Sequence, residues 1–173
     1  MGDFSFRMMA ATFAVMDFLF PSLDKRIQQF GLQEGMTVVD YGCGPGRYSV
    51  RFAQIVGERG KVYAVDIHEL ALEYVARKTE KLQLTNIEPM LAQGYQSPVP
   101  GDVADMLFAL DMFFGVKDPA ALLAELGRIV KPDGVLILDD GHQPRRETLR
   151  KIGLSDRWRI QEQSLDHLVC VPV

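Results

Sequence analysis

The stretch that most constrains this chain is Val38-Val39-Asp40-Tyr41-Gly42-Cys43-Gly44-Pro45-Gly46-Arg47-Tyr48-Ser49. Residues 37–41 are β-branched and apolar up to an acidic end, which reads as a buried strand. Gly42, Gly44 and Gly46 stand at alternate positions, so the backbone can take positive φ and approach a ligand closely. A helix starting near Arg47 would aim its unpaired first-turn N–H groups back across that turn. Strand, glycine turn and helix in this order mark a nucleotide site in an α/β sheet.

Around that turn the chain alternates regularly. Strands are expected at residues 37–41, 62–66, 87–91, 103–110 and 135–139, and helices at 48–56, 69–83, 119–130 and 145–151. Pro89 cannot donate to a ladder, so the third strand should lie at a sheet edge. Residues 103–110 are almost continuously apolar, as in a strand buried on both faces. Asp118-Pro119 is a cap followed by a first-turn proline. Lys131-Pro132-Asp133-Gly134 reads as a turn before the fifth strand. Residues 158–173 hold two short strands separated by only 164–167, too few for a parallel crossover, so these two must pair antiparallel.

Residues 1–34 precede the first strand, and the sheet does not need them. A helix is expected over 6–20, stopped by Pro21, and a second from Ser22 to Phe30 with Gly31 beyond it. The methionines of the first helix suit a lid that repacks around apolar ligands, with an ordinary core helix as the alternative. The expected organisation is therefore one domain, a helical lid over 1–34 and a core over 35–173.

A formal net charge of −4 argues against a nucleic-acid partner bound through a broad basic face. Arg145, Arg146, Arg150 and Lys151 are clustered, and read as a solvated helix face, with contact to an anionic acceptor as the alternative. Cys43 and Cys170 form no spacing framework, which points to a reducing compartment and excludes a four-cysteine zinc site; no metal is expected. Asp17 interrupts the apolar run over 8–20, so neither a bilayer span nor a signal peptide is read there, and a cytoplasmic location is expected.

In an open parallel sheet, ligands sit beyond the carboxyl ends of the strands. Those ends carry Asp40, Asp66, Gln93 with Gly94, Leu110 with Asp111, and Asp139-Asp140-Gly141-His142. Asp66 closes Val62-Tyr63-Ala64-Val65-Asp66, where a carboxylate can accept two hydrogen bonds from a ribose diol. A cap for the following helix is its other reading.

On these residues the chain resembles the class I S-adenosylmethionine-dependent methyltransferases. The resemblance rests on the glycine turn over 38–46, the acid-ended strand over 62–66, Ala104-Asp105-Met106-Leu107-Phe108-Ala109-Leu110, and Leu126-Gly127-Arg128-Ile129-Val130-Lys131-Pro132-Asp133-Gly134. It is closest to the small-molecule branch that includes the quinone-biosynthesis enzymes.

The implied fold is a Rossmann-like three-layer α/β sandwich. Its seven-stranded, mostly parallel sheet is ordered 3-2-1-4-5-7-6, with strand 7 antiparallel. The implied cofactor is S-adenosyl-L-methionine, leaving as S-adenosyl-L-homocysteine after in-line displacement by a small-molecule acceptor. By the same resemblance, Gly42, Gly44 and Gly46 pass the methionine part and Asp40 fixes their loop. Asp66 holds the ribose, Ile67 packs on adenine, Gln93 with Gly94 lies by the adenine amino group, and Leu110 offers backbone contact.

Tyr41, Tyr48 and Phe113 are candidates for the wall around the sulfonium, with core packing as their alternative. His142 and Asp111 are the candidates for a catalytic base. Two other readings stay open. One is a binding module that holds the cofactor without catalysis. The other is an NAD(P)-dependent oxidoreductase, disfavoured because Arg47 stands where that fingerprint needs glycine.

Overall fold

Seven strands and six helices realise the alternation in the computed structural model, which describes residues 2–19 and 22–173. The strands are β1 (Thr37–Tyr41), β2 (Lys61–Asp66), β3 (Ile87–Leu91), β4 (Ala104–Ala109), β5 (Val130–Leu138), β6 (Trp158–Gln163) and β7 (Leu168–Pro172). They form one sheet in the order β3-β2-β1-β4-β5-β7-β6. β1 to β5 run parallel, and β7 is antiparallel to both β5 and β6. This is the expected order, with the Pro89 strand at an edge.

The helices are α1 (Asp3–Leu19), α2 (Ser22–Gln28), α3 (Arg47–Val56), α4 (Glu69–Lys81), α5 (Pro119–Ile129) and α6 (Arg145–Ile152). Phe20 and Pro21, the expected end and stop of the first helix, lie outside the described residues.

Alternate residues of β1, β2, β4 and β5 feed two separate cores. Val38, Val62, Ala64, Met106, Phe108 and Ile137 pack under α2, α3 and Val75 of α4. Val39, Val65, Leu107, Ala109, Leu136 and Leu138 pack under Leu122, Leu123, Leu126 and Ile129 of α5. Each Val, Leu, Ile or Phe among these, fully removed from water, contributes about 1.5–3 kcal/mol before entropy is counted. The Asp118 carboxylate caps α5 by accepting from the Ala121 N–H at 3.0 Å, as the Asp-Pro pair predicts.

Two sequence expectations are corrected. Residues 131–134 do not leave the sheet. Val130 already pairs with Ala104, the register shifts, and Val135 pairs with Met106. At Gly134 a Cβ would meet Ala104 O at 2.6 Å, so the missing side chain lets the loop lie against β4 as an irregularity within β5. The basic run on α6 is not one solvated face. Arg150 pairs with Glu147 on the surface, Arg145 grips Asp140, and Lys151 is buried at 6% exposure.

Candidate active site

The carboxyl ends of β1, β2 and β4, the segment after β3 and the inner face of α1 enclose a cavity of about 470 Å³. Its floor is the glycine turn. Gly42, Gly44 and Gly46 all have positive φ, at 83°, 50° and 72°. The first and last make room for neighbours, since a Cβ would meet Met112 Cγ from Gly42 and Val75 Cγ2 from Gly46, each at 2.8 Å. At Gly44 nothing lies within 4 Å, so the turn is open to a ligand at its middle glycine. Gly46 itself lies against Val75 of α4, outside the cavity lining. No side chain caps α3 at its start.

Asp66 ties the turn to the end of β2. One carboxylate oxygen accepts the Gly44 N–H and the other the His68 N–H, both at 2.9 Å. A carboxylate has about four lone-pair sites, and Asp66 is half-buried on the cavity wall, so each oxygen keeps acceptor capacity towards the space. The cap reading is half right: His68 occupies the cap position of α4, and Asp66 receives its N–H. Ile67 lines the cavity with its side chain 67% exposed, an apolar surface lacking a cover. Gly94 and Leu110 also line it. An open glycine cradle, a diol-sized pair of acceptor oxygens and a bare aliphatic face beside them fit an adenosyl cofactor.

The remaining sequence candidates divide between the cavity wall and positions away from it. Asp40 is buried beneath the turn and accepts from the Ser49 hydroxyl at 2.5 Å. Gln93 is exposed and outside the lining, because its backbone bridges to Gln96 in a tight reversal. His142 is exposed and also outside; its ring meets Phe114 edge-on at 4.8 Å. Phe113 is fully buried core. Tyr41 and Tyr48 do reach the wall. Burial raises the pKa of both phenols, helped by Glu125 at Tyr41 and by Asp111 at Tyr48.

Asp111 lines the cavity in a left-handed conformation (φ 56°), uncommon for a residue other than glycine. The Tyr48 hydroxyl donates to its carboxylate at 3.2 Å, and its own N–H donates to Asp139 at 2.9 Å.

Burial pushes the Asp40 carboxyl up to about 7, with the Asp66 and Asp111 charges adding and the Ser49 hydroxyl opposing. Its folded pKa thus exceeds the unfolded one, so Asp40 favours the folded state most at acid pH. That contribution is lost as pH rises from about 4 through about 7, by an amount on the order of 2–4 kcal/mol. Asp40→Asn keeps an acceptor for Ser49 and removes the titration. Thermal melts between pH 4.5 and 8 should show the variant gaining on the wild type as pH rises. Parallel curves would refute a buried, titrating Asp40.

Of the cavity's other lining residues, the sequence offered only the first helix with its methionines, as a lid. Phe6, Met9 and Phe13 of α1 roof the space, at a spacing of three and four that was readable as one helix face. Phe6 is buried and stacks on His68 at 4.8 Å. The Arg47 guanidinium lies 5.0 Å from the Phe13 ring centre. Tyr95 enters through contacts that no local pattern announces. Its carbonyl accepts from Tyr41, and its hydroxyl accepts from the N–H groups of Lys117 and Asp118.

Comparison with known proteins agrees with this geometry. The methyltransferase domain family matches residues 32–168. The ubiquinone/menaquinone biosynthesis C-methyltransferase UbiE of Shewanella piezotolerans is 30% identical over 127 residues, 73% of this chain and 51% of that one. The chain thus spans about half the length of the curated relatives it matches. Among solved structures, a SAM dependent methyltransferase from Aquifex aeolicus superposes with a TM-score of 0.78 at 28% identity, covering 87% of this chain and 89% of that one. Coclaurine N-methyltransferase bound to N-methylheliamine and SAH gives 0.61 at 26% identity, over 69% and 34%. With the glycine turn, the Asp66 carboxylate and the 3-2-1-4-5-7-6 sheet in place, this chain belongs to the methyltransferase domain family, in its class I S-adenosylmethionine-dependent form.

Proposed function

We propose that the chain binds S-adenosylmethionine in the cavity over the glycine turn and catalyses transfer of its methyl group to a small, partly apolar acceptor. The observation that carries this reading is the Asp66 carboxylate. It fixes the turn through the Gly44 N–H and still faces the cavity with acceptor capacity. Asp66 would hold the ribose hydroxyls, Ile67 and Gly94 the adenine side, and Gly42, Gly44 and the Leu110 backbone the methionine side. When bound, this cofactor supplies an electrophilic methyl group on a sulfonium, so the protein has mainly to position and to exclude water.

The acceptor side is then the space between α1 and the segment after β4, lined by Met9, Phe13, Met112 and Val116. We read residues 1–34 as its lid and 35–173 as the core. Asp111, with the Tyr48 hydroxyl against it, presents the carboxylate that would take a proton from the acceptor. His142, turned onto Phe114, has no such position. The net charge of −4 supports a small molecule over a nucleic acid. Among the described residues no helix is long and apolar enough to cross a membrane. Both cysteines are free thiols, which supports a cytoplasmic location.

Calorimetry on the purified chain with S-adenosylhomocysteine and with NAD tests the cofactor. S-adenosylhomocysteine should bind and NAD should not; the reverse result, or no heat from either, overturns the proposal. A methyl-transfer screen across small acceptors, run beside Asp111→Asn, then separates an enzyme from a binding module.

A further inference from the structure

Lys151 is a buried cation that the proposed chemistry does not use. It sits in the last turn of α6, behind the sheet end, and lines neither the cavity nor its mouth. Its Nζ donates to the backbone carbonyls of Phe113 and Phe114, both at 3.0 Å, and lies 5.5 Å from the Phe113 ring centre. Among the described residues it forms no ion pair, so two carbonyls and a ring face stand in for a counter-charge. An ammonium is costly to bury, and it is retained where removing it would leave partners unsatisfied.

Those carbonyls belong to the 3-10 turn Phe113–Gly115. The segment through that turn carries Met112, Gly115, Val116 and Lys117, one whole wall of the cavity. It also follows directly on Asp111, whose left-handed backbone is strained for a residue with a side chain. Such strain persists where the surrounding structure over-determines the backbone. Upstream, the Asp139 carboxylate holds the Asp111 N–H at 2.9 Å. Downstream, the matching fixed point is Lys151.

We propose that Lys151 is a positioning residue: its ammonium, bonded to the carbonyls of Phe113 and Phe114, is the second of two clamps that hold Asp111 in its left-handed conformation and so set the acceptor wall. The clamp itself is a property of the unliganded chain. Only its consequence for acceptor binding rests on the reading of the cavity as a methyl-transfer site.

The test is amide hydrogen exchange by NMR on the unliganded chain. The reporters are Gly115 and Val116, whose N–H groups close the turn onto Met112 O and Phe113 O. Lys151→Met should accelerate exchange at these two amides about tenfold or more, by loss of the hydrogen bonds that pin the turn. Amides in the middle of β4 should stay as slow as in the wild type. Lys151→Cys alkylated to its aminoethyl form in a Cys43→Ser, Cys170→Ala background, which restores an ammonium at nearly the same reach without touching the two native thiols, should return the turn to slow exchange.

In an Asp111→Gly background the left-handed conformation costs little, so the same Lys151→Met change should accelerate the turn less than threefold. Equal acceleration in both backgrounds would leave Lys151 a simple packing element and overturn the proposal, as would unchanged exchange in Lys151→Met. Should Lys151→Met not fold, Lys151→Gln, whose shorter, neutral side chain cannot hold both carbonyls, carries the same comparison. Calorimetry with S-adenosylhomocysteine on the same samples reads the cofactor assignment separately: failure to bind the wild type sinks that assignment and leaves the clamp result standing.

Discussion

Asp66→Ala should weaken S-adenosylhomocysteine binding by about a hundredfold or more while leaving the chain folded. Two effects combine. The first is direct: a ribose diol donates two hydrogen bonds to a carboxylate, and bonds to a charged acceptor are worth roughly 1.5–3 kcal/mol each. Two such bonds at the low end of that range already correspond to about a hundredfold at about 1.4 kcal/mol per tenfold. The second is indirect. The same oxygens hold the Gly44 and His68 N–H groups, so alanine releases the middle of the glycine turn as well.

Folding should suffer less, because Asp66 is half-buried and water can reach the N–H groups it abandons. A loss of about 1 kcal/mol is expected. Asp66→Asn keeps one acceptor and should fall between the two. Isothermal calorimetry on folded samples reads all three proteins. An alanine variant that binds as tightly as the wild type would remove the diol from this wall, and with it the cofactor assignment.

The sheet was legible in the sequence because β1, β2, β4 and β5 are apolar runs that each lead into a helix, so periodicity and topology coincide. The side of the cavity proposed to hold the cofactor was legible for a related reason. Gly42, Gly44, Asp66, Ile67, Gly94 and Leu110 lie at strand ends, and strand ends are where an open parallel sheet puts its ligands. Gln93 lay beyond that logic. A strand end fixes where the backbone stops, but the Gln93–Gln96 bridge decides which residues face inward, and these are Gly94 and Tyr95.

Lys151 was misread for want of phase. In a run as basic as Arg145-Arg146-Glu147-Thr148-Leu149-Arg150-Lys151, charge hides the face. Yet Thr148, Lys151 and Ile152 share one side of α6, and all three are buried. The acceptor wall was least legible, since Tyr95, Met112 and the 3-10 turn are placed by contacts between segments that no single stretch encodes.

Arg26 shows the same limit with the largest expected energetic effect. In sequence it is one charge in Leu23-Asp24-Lys25-Arg26-Ile27, on a short helix whose surface should be polar. In the structure its guanidinium donates to Asp139 at 2.6 Å and to the Tyr48 hydroxyl at 2.5 Å, and pairs with Asp166 at 3.4 Å. It thereby joins α2 to the end of β5, the start of α3 and the turn between β6 and β7. Its Nε is the only buried side-chain nitrogen or oxygen among the described residues without a hydrogen-bond partner, and that same Nε makes the approach to Asp166.

Arg26→Met fills similar volume but strands the Asp139 carboxylate, which is 3% exposed. Removing one partner of a buried pair costs about 3–5 kcal/mol, on the order of 10 °C in melting temperature for a domain of this size. The pH dependence identifies the cause. Burial already raises the Asp139 pKa against the opposing pull of Arg26, so the folded state holds its proton to higher pH than the unfolded state does. Its favourable contribution is complete below about pH 4 and is lost as pH rises through the folded value. Without Arg26 that value climbs further and the loss grows. The gap between wild type and variant should therefore be smallest near pH 4.5 and widest near pH 8. Adding Asp139→Asn should close most of it at pH 8 and little of it at pH 4.5. A gap of constant size across that range would mean that Arg26 stabilises through packing and its bond to Tyr48, with Asp139 contributing nothing.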